Sequence, residues 1–182
     1  MNLIKTMIDG LVVLQPTIFK DHRGYFMDSY HKKNLKNLIG DVNFVQDNES
    51  ESFRGVLRGL HFQKPPHAQA KLVRCLKGSV LDVALDLRND SKTYGCFEIT
   101  LLSQENKKQL FIPKGFAHGF VVLSEKAIFS YKVDNYYNPD SESGVLWNDP
   151  DLHIDWKINK EEIIISKKDT KLSTFNNLIS PF

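Results

Sequence analysis

Two short segments of the chain each place a histidine among glycine and apolar residues. The first, residues 58–63, reads Arg-Gly-Leu-His-Phe-Gln and contains His61, and the second, residues 112–120, contains His118. Imidazole titrates near neutral pH, so a histidine held inside a lined pocket is the commonest general base. Two such segments on one chain favour an enzyme that moves protons over a domain without catalysis.

The two histidines differ in how strongly their surroundings favour a chemical role. A single histidine in an apolar strand is usually a hydrogen-bonded core residue, but Arg58 and Lys71 flank His61 with cations that a pocket for an anionic ligand would use. We therefore interpret His61 as a functional residue. For His118, ligand contact is favoured over a structural role in a turn, and both interpretations stay open.

The composition restricts the class of protein. The chain has 182 residues, of which 41% are hydrophobic and 25% charged, which suits one globular domain with a sizeable core. A net charge of +2, spread along the chain, argues against a nucleic-acid partner. Cys75 and Cys96 lie in apolar, strand-like runs, which predicts buried free thiols. With no apolar leader and no run long enough to span a bilayer, we expect a cytoplasmic protein without a membrane partner.

Short apolar runs separated by turn residues dominate the chain. Residues 80–87 alternate, with Leu81, Val83 and Leu85 on one face and Asp82 on the other, which is the period of a strand. Further strands are predicted at 11–16, 25–30, 43–48, 56–62, 71–77, 97–102, 109–112, 119–123 and 127–135. Residues 31–39 predict a short helix, and a second helical piece is expected after Ser166, where Ser-Lys-Lys-Asp resembles a capping box. Many strands and few helices indicate a β-sandwich or a closed double-sheet jelly roll.

One of the two histidine segments matches a known motif of jelly-roll proteins. Pro113, Gly115 and His118 fit the Pro-x-Gly-x-x-His signature of cupins. The other cupin signature carries His-x-His and then Glu as metal ligands, but here His61 is followed by Phe and Gln, and no Glu follows at the usual distance. Glutamine is a poor replacement for imidazole at a transition metal. The pattern favours a cupin without metal or other cofactor, although His67 could still serve as a ligand.

Eight segments together give a more specific resemblance. They are residues 21–26, 44–48, 56–63, 71–75, 82–88, 112–120, 131–137 and 147–150. In order and spacing the chain resembles the dTDP-4-dehydrorhamnose 3,5-epimerase family of the rhamnose pathway. The resemblance implies an all-β, cupin-like double-sheet jelly-roll barrel with a few short peripheral helices, formed by residues 1–182 as a single domain. It also implies a homodimer that shares N-terminal strands, and a C-terminal tail, from about residue 160, that packs near the site.

The implied reaction inverts C3 and C5 of a dTDP-4-keto-6-deoxyhexose without a metal. The ketone acidifies the neighbouring C–H bonds, and inversion needs a base on one face of the sugar and an acid on the other. By resemblance, His61 is the base, Asp169 orients it and favours its charged form, Tyr131 is the acid, and Lys71 stabilises the enolate oxygen. An exposed aspartate at the start of a helix is the alternative interpretation of Asp169.

The resemblance also assigns substrate contacts. The implied binding residues are Arg23, Phe26, Asp28, Gln46, Asn48, Arg58, Asp82, His118, Tyr137, Glu142 and Lys168. Arginine suits the diphosphate because its planar fork can hold two oxygens, and an aromatic such as Tyr137 would stack on thymine. Asp28 stands where the family commonly has Glu, and Glu49 where His is common, which bears on nucleotide or sugar preference rather than on the chemistry.

Three alternatives remain open from the sequence. The first is an epimerase that inverts a single centre, or a 3,4-ketoisomerase, on the same fold. The second is a metal-dependent cupin such as a dioxygenase. The third is a sugar-binding module without catalysis, since a fold does not by itself specify a function.

Overall fold

The computed structural model describes residues 1–182, and short antiparallel strands make up most of its regular structure. The strands are β1 Asn2–Lys5, β2 Val12–Gln15, β3 Phe19–Asp21, β4 Gly24–Phe26, β5 Gln46–Phe53, β6 Val56–Gln63, β7 Lys71–Lys77, β8 Ser79–Asp86, β9 Phe97–Ser103, β10 Gln109–Ile112, β11 Phe116–Val122, β12 Lys126–Val133, β13 Glu142–Gly144 and β14 Ile164–Ile165. The single α-helix, α1, spans Lys32–Ile39, and 3₁₀ turns cover Pro139–Ser141, Lys160–Glu162, Asp169–Lys171 and Phe175–Asn177. No helix is long and apolar enough to cross a membrane.

Two sheets face each other. The first has the strand order β1-β2-β10-β7-β12-β5, and the second has the order β13-β6-β11-β8-β9, with β14 added in parallel to β6. Strands β3 and β4 form a separate hairpin. The all-β, cupin-like jelly roll predicted from the sequence is confirmed, although the two sheets do not close into one continuous barrel.

Strand β8 shows how the sequence pattern builds the layers. Its two faces enter different apolar clusters, as its alternation predicts. Val80 and Ala84 join the core between the sheets, whereas Leu81, Val83 and Leu85 pack on the outer face of the second sheet. That outer face is covered by C-terminal residues, among them Trp156. Because both faces of β8 are covered, the strand is almost wholly buried and holds Asp82 away from bulk water.

Helix α1 covers the first sheet from outside. His31 caps its N-terminus by accepting the backbone N–H of Asn34, and Gly40 ends it with a positive φ of 85°. Leu35 of α1 packs with Leu72 and Phe111 of the sheet. This packing leaves the inner face of the first sheet free for the cavity.

Several local predictions differ from the structure. The strand predicted at 25–30 is the shorter β4, which ends at Phe26. The strand predicted at 43–48 is β5, which begins at Gln46 and continues to Phe53. The helical piece expected after Ser166 is a 3₁₀ turn of three residues, because the chain returns to an extended conformation at Leu172. Cys75 is buried as predicted, but Cys96 is exposed because it lies in the turn before β9 rather than within the strand.

Candidate active site

A cavity of about 640 Å³ opens between the two sheets. Strands β5, β7 and β12 line it from the first sheet, β6 and β11 line it from the second, and the C-terminal segment lines it from 164 to 169. Its lining residues are Asn48, Glu49, Ser50, Val56, Leu57, Arg58, His61, Lys71, His118, Gly119, Phe120, Phe129, Tyr131, Ile164, Ile165, Ser166, Lys168 and Asp169. The cavity therefore gathers His61, Lys71 and Tyr131 from three strands and Asp169 from the C-terminal segment.

His61 is held by a carboxylate from the far end of the sequence. Its Nε2 lies 2.8 Å from Oδ1 of Asp169, whose side chain is only 5% exposed. The backbone N–H of Gly59 donates to Oδ2 of Asp169, and the backbone N–H of Asp169 donates to Oγ of Ser166. An imidazole braced by a buried carboxylate has a fixed orientation.

Asp169 stays ionised although its side chain is buried. Burial alone would raise the pKa of this carboxyl group, but the hydrogen bond and the charge of His61, with the Gly59 N–H and Ser166, bring the pKa below its ordinary value. Asp169 is therefore anionic at neutral pH. An ionised partner is what a general base needs when it takes up a proton.

A close backbone contact sets the position of His61 on its strand. Gly144 of β13 pairs with His61 of β6, and a Cβ at position 144 would lie 2.3 Å from the carbonyl oxygen of Leu60. Only glycine allows β13 to approach β6 this closely. On the other side of β6, His118 of β11 is the register partner of His61, so the two histidines lie on adjacent strands.

His118 belongs to a second histidine–carboxylate pair. Its Nε2 lies 2.9 Å from Oδ2 and 3.1 Å from Oδ1 of Asp82, and both residues are buried. Burial lowers the pKa of His118, and the charge and hydrogen bond of Asp82 oppose that change. His118 can therefore present a hydrogen-bonding group to a ligand from the wall of the cavity, with its ring fixed by Asp82.

Lys71 adds an amine and Tyr131 adds a phenol to the cavity. Burial lowers the pKa of the Lys71 amine to about 8, against the opposing charges of Asp82 and Glu142. Burial raises the pKa of the Tyr131 hydroxyl, although the charge of Arg58 opposes it. At neutral pH the cavity thus holds a cationic amine that can stabilise an oxyanion and a protonated phenol that can donate a proton.

Charged and aromatic side chains gather at the mouth of the cavity. Arg58 donates from Nε and Nη2 to Oγ of Ser52 at 3.2 and 3.1 Å. The Tyr137 hydroxyl donates to Oε2 of Glu142 at 2.6 Å, and Lys168 donates to the same oxygen. These hydrogen bonds raise the pKa of Tyr137 and of Lys168. A guanidinium, an ammonium and an aromatic ring at one opening suit an anionic ligand that carries an aromatic group.

Asp82, Tyr137 and Glu142 contact lining residues or their neighbours but are not lining residues themselves, and the remaining residues implied by the resemblance also lie outside the lining. Gln46 donates to Oδ1 of Asn48 at 2.8 Å on the inner face of edge strand β5. Arg23 and Phe26 lie on the exposed β3–β4 hairpin, where 78% of the Arg23 side chain is accessible and its guanidinium pairs with Asp21. Asp28 is also exposed and lines a small separate pocket near His31. Within one chain, these three residues do not reach the cavity.

Sequence reasoning missed several cavity residues. Ser50 and the isoleucines of β14 had no predicted role, and Ser166 was predicted only as a helix cap. The period of two would have found Ser50, since it follows Asn48 by two residues and must share its face. The isoleucines carried no chemical signal, because only tertiary pairing of β14 with β6 brings them to the site.

The residues present do not form a metal site of the cupin type. No group of three or more His, Cys, Asp or Glu side chains is arranged to hold a metal ion. Nε2 of His61 and Nε2 of His118 each contact a different carboxylate, and the His67 ring lies near Asn138 instead.

The jelly roll, with a cavity that holds histidine, lysine and tyrosine side chains, defines a cupin-like protein built to move protons. A family model described as dTDP-4-dehydrorhamnose 3,5-epimerase matches residues 5–177, and the chain belongs to this family. The dTDP-4-dehydrorhamnose 3,5-epimerase of Escherichia coli (strain K12) is 49% identical over 98% of this chain and 97% of its own length.

Two solved structures are similar to this chain in sequence and fold. The Elizabethkingia anophelis NUHP1 dTDP-4-dehydrorhamnose 3,5-epimerase is 54% identical, covers 97% of each chain and superposes with a TM-score of 0.93. The Legionella pneumophila Philadelphia 1 dTDP-6-deoxy-D-glucose-3,5-epimerase, in complex with dTDP-4-keto-L-rhamnose, is 46% identical, covers 98% of this chain and 94% of its own, and has a TM-score of 0.94.

Proposed function

We propose that the protein inverts C3 and C5 of a dTDP-4-keto-6-deoxyhexose, converting dTDP-4-dehydro-6-deoxy-D-glucose to dTDP-4-dehydro-L-rhamnose. The observation that carries the proposal is the His61–Asp169 pair, 2.8 Å apart, in a cavity that Tyr131 and Lys71 also line. Membership of the epimerase family and the ligand of the Legionella relative support the choice of substrate.

The proposed chemistry is two rounds of proton transfer. Nε2 of His61 donates to Asp169, so the other ring nitrogen, Nδ1, takes the proton from carbon. The C–H bond breaks, and its electron pair forms an enolate with the charge on the C4 oxygen. The Lys71 ammonium stabilises that oxygen, and His118 holds the sugar beside it. The Tyr131 hydroxyl then protonates the same carbon from the other side. Exchange with solvent returns His61 to its neutral form and Tyr131 to its phenol.

The layout of the strands supports attack and reprotonation on opposite faces. His61 projects from β6 of the second sheet, and Tyr131 projects from β12 of the first. Because both line one cavity between facing sheets, a flat enolate bound there has His61 on one side and Tyr131 on the other. This arrangement is what inversion requires, since returning the proton from the side of its removal would restore the starting sugar.

The nucleotide would lie at the mouth of the cavity. In this proposal Arg58 and Lys168 hold the diphosphate, Tyr137 stacks on thymine, and Gln46, Asn48 and Glu142 supply polar contacts. Such an arrangement places the charged part of the substrate near solvent and the reacting sugar inside.

A homodimer would account for the exposed hairpin. We propose that Arg23, Phe26 and Asp28 of one copy complete the nucleotide site of another, since all three are exposed and outside the cavity of their own chain. Light scattering of the purified protein tests this, because a monomeric mass at assay concentration would contradict it.

Isotope uptake tests the reaction itself. In deuterated buffer, dTDP-4-keto-6-deoxyglucose should gain deuterium at both C3 and C5, as followed by NMR. Tyr131→Phe should slow net inversion more than initial proton loss, because the base remains and only the opposite-face donor is gone. Label at one carbon alone would instead assign the protein to the single-centre epimerases, and binding without label would leave a sugar-binding module.

The pKa of Lys71 predicts an alkaline limit to activity. If the ammonium form stabilises the enolate, kcat/KM should fall as the pH rises through about 8, where burial has placed the pKa of this amine. Lys71→Arg should move that limit to higher pH, because guanidinium stays charged there, while lowering the maximal rate through altered geometry. An unchanged limit in the arginine variant would remove Lys71 from this role.

A further inference from the structure

We infer that Ser50 is a further substrate-contacting residue, whose hydroxyl bonds an oxygen of the bound sugar nucleotide. This inference rests on the proposed function and adds a contact that neither of the histidine segments contains. It starts from a hydroxyl that the folded chain leaves without a partner.

Ser50 and Thr100 carry the two buried side-chain oxygens of the chain that have no hydrogen-bond partner. Buried polar groups in folded proteins are nearly always paired, because an unpaired one loses its bonds to water and gains nothing in return. The two hydroxyls differ in place. Ser50 lines the cavity, whereas Thr100 lies on β9 outside it.

The neighbours of Ser50 on its strand are already paired. Asn48, Ser50 and Ser52 share the inner face of edge strand β5, two residues apart. Oδ1 of Asn48 accepts from Gln46, and Oγ of Ser52 accepts from Arg58. Of the three polar side chains in this row, only Ser50 lacks a partner in the chain.

The position of Ser50 fits the junction between the sugar and the diphosphate. Its cross-strand partner is Phe129, and the next inward residue of that strand is Tyr131, the proposed acid. On its other side along β5 lies Ser52, which holds Arg58, the proposed diphosphate ligand. Along β5, Ser50 therefore lies between the residue that pairs with Tyr131 and the residue that bonds Arg58, so a substrate that contacts both Tyr131 and Arg58 would lie beside it. Since the χ1 angle of serine has three staggered positions, Oγ can turn toward that substrate without movement of the strand.

Two substrate oxygens could serve as the partner, a hydroxyl of the sugar or an oxygen of the diphosphate. Both are hydrogen-bond acceptors that a serine hydroxyl suits. The binding of dTDP alone separates them, since dTDP has the diphosphate and lacks the sugar.

The test compares wild type with Ser50→Ala, using Thr100→Val as the matched control that removes the other unpartnered hydroxyl. Ser50→Ala should raise KM for dTDP-4-keto-6-deoxyglucose about tenfold, the effect of one lost hydrogen bond of ordinary strength. Thr100→Val should leave KM unchanged. If the affinity for dTDP, measured by calorimetry, falls in parallel, the partner is a diphosphate oxygen, and if it stays the same, the partner is a sugar hydroxyl.

A thermal melt distinguishes this role from a structural one. An unpartnered hydroxyl contributes nothing to folding, so Ser50→Ala without ligand should have a Tm equal to or above that of wild type. A lowered Tm with unchanged KM would overturn the inference, and so would kinetics identical to wild type. If wild type itself neither bound nor epimerised the sugar nucleotide, the proposed function would fall and the role of Ser50 with it.

Discussion

Replacing His61 with asparagine is expected to abolish deuterium uptake at both C3 and C5. Asparagine keeps a polar side chain of similar reach but cannot accept a proton at neutral pH, so the loss should be at least about 10²–10⁴-fold in rate, the usual contribution of a general base. Binding of dTDP should persist, because the residues proposed to hold the nucleotide lie at the mouth of the cavity. The measurement is NMR of label at each carbon, with calorimetry of dTDP alongside.

His67→Asn is the matched control for the His61 variant. His67 is half-buried and lies near Asn138 rather than in the cavity lining, so its replacement should leave exchange intact. Uptake at either carbon by the His61 variant at the wild-type rate would refute the assignment of the base. Loss of exchange in the His67 variant would instead favour the alternative hypothesis of a metal-dependent cupin, in which His67 is a metal ligand.

Asp169→Asn is expected to cost about 10²–10⁴-fold in kcat/KM although it preserves the shape of the side chain. The amide can still contact Nε2 of His61 at a distance near the present 2.8 Å, but it supplies no negative charge when the imidazole takes up a proton. The loss should appear in the rate of exchange at both carbons. Substrate affinity should change little, since Asp169 faces His61 and not the nucleotide.

Asp149 provides a control for simple loss of a buried carboxylate. Asp149 is 3% exposed, and its oxygens accept the backbone N–H groups of Asp151, Leu152 and Phe175 outside the cavity. Asp149→Asn should lower the Tm and leave the rate per folded molecule unchanged, whereas Asp169→Asn should show the reverse. If both variants lost only stability, Asp169 would be a structural residue and the proposed brace would be wrong.

Regular periodicity made much of the fold predictable. Strands β7 and β10 have the bounds expected from their apolar runs, and β8 divides its side chains between two clusters as its alternation indicated. Strand β5 was harder, because its sequence, QDNESESF, is polar on both faces. An edge strand beside a polar cavity has little apolar surface to bury, so its hydrophobic signal is weak.

The site residues also divide into those that a local sequence pattern identifies and those that only tertiary packing brings together. The histidine segments identified His61 from its own surroundings, but its partner Asp169 lies 108 residues away, and no local pattern could give their contact. Only the resemblance connected them in advance. The cluster of Tyr137, Glu142 and Lys168 also depends on tertiary pairing, since β13 places Glu142 beside Gln63 of β6. Such contacts arise from the packing of distant segments rather than from residue spacing.

The parallel pairing of β14 with β6 has a consequence for the newly made protein. Its two residues bring in the segment that carries Asp169, after every other strand of the jelly roll has already left the ribosome. A nascent chain can therefore form both sheets while His61 still lacks its brace. With the role proposed here for Asp169, a polypeptide that stops before this residue would keep both sheets but lack the carboxylate that orients His61.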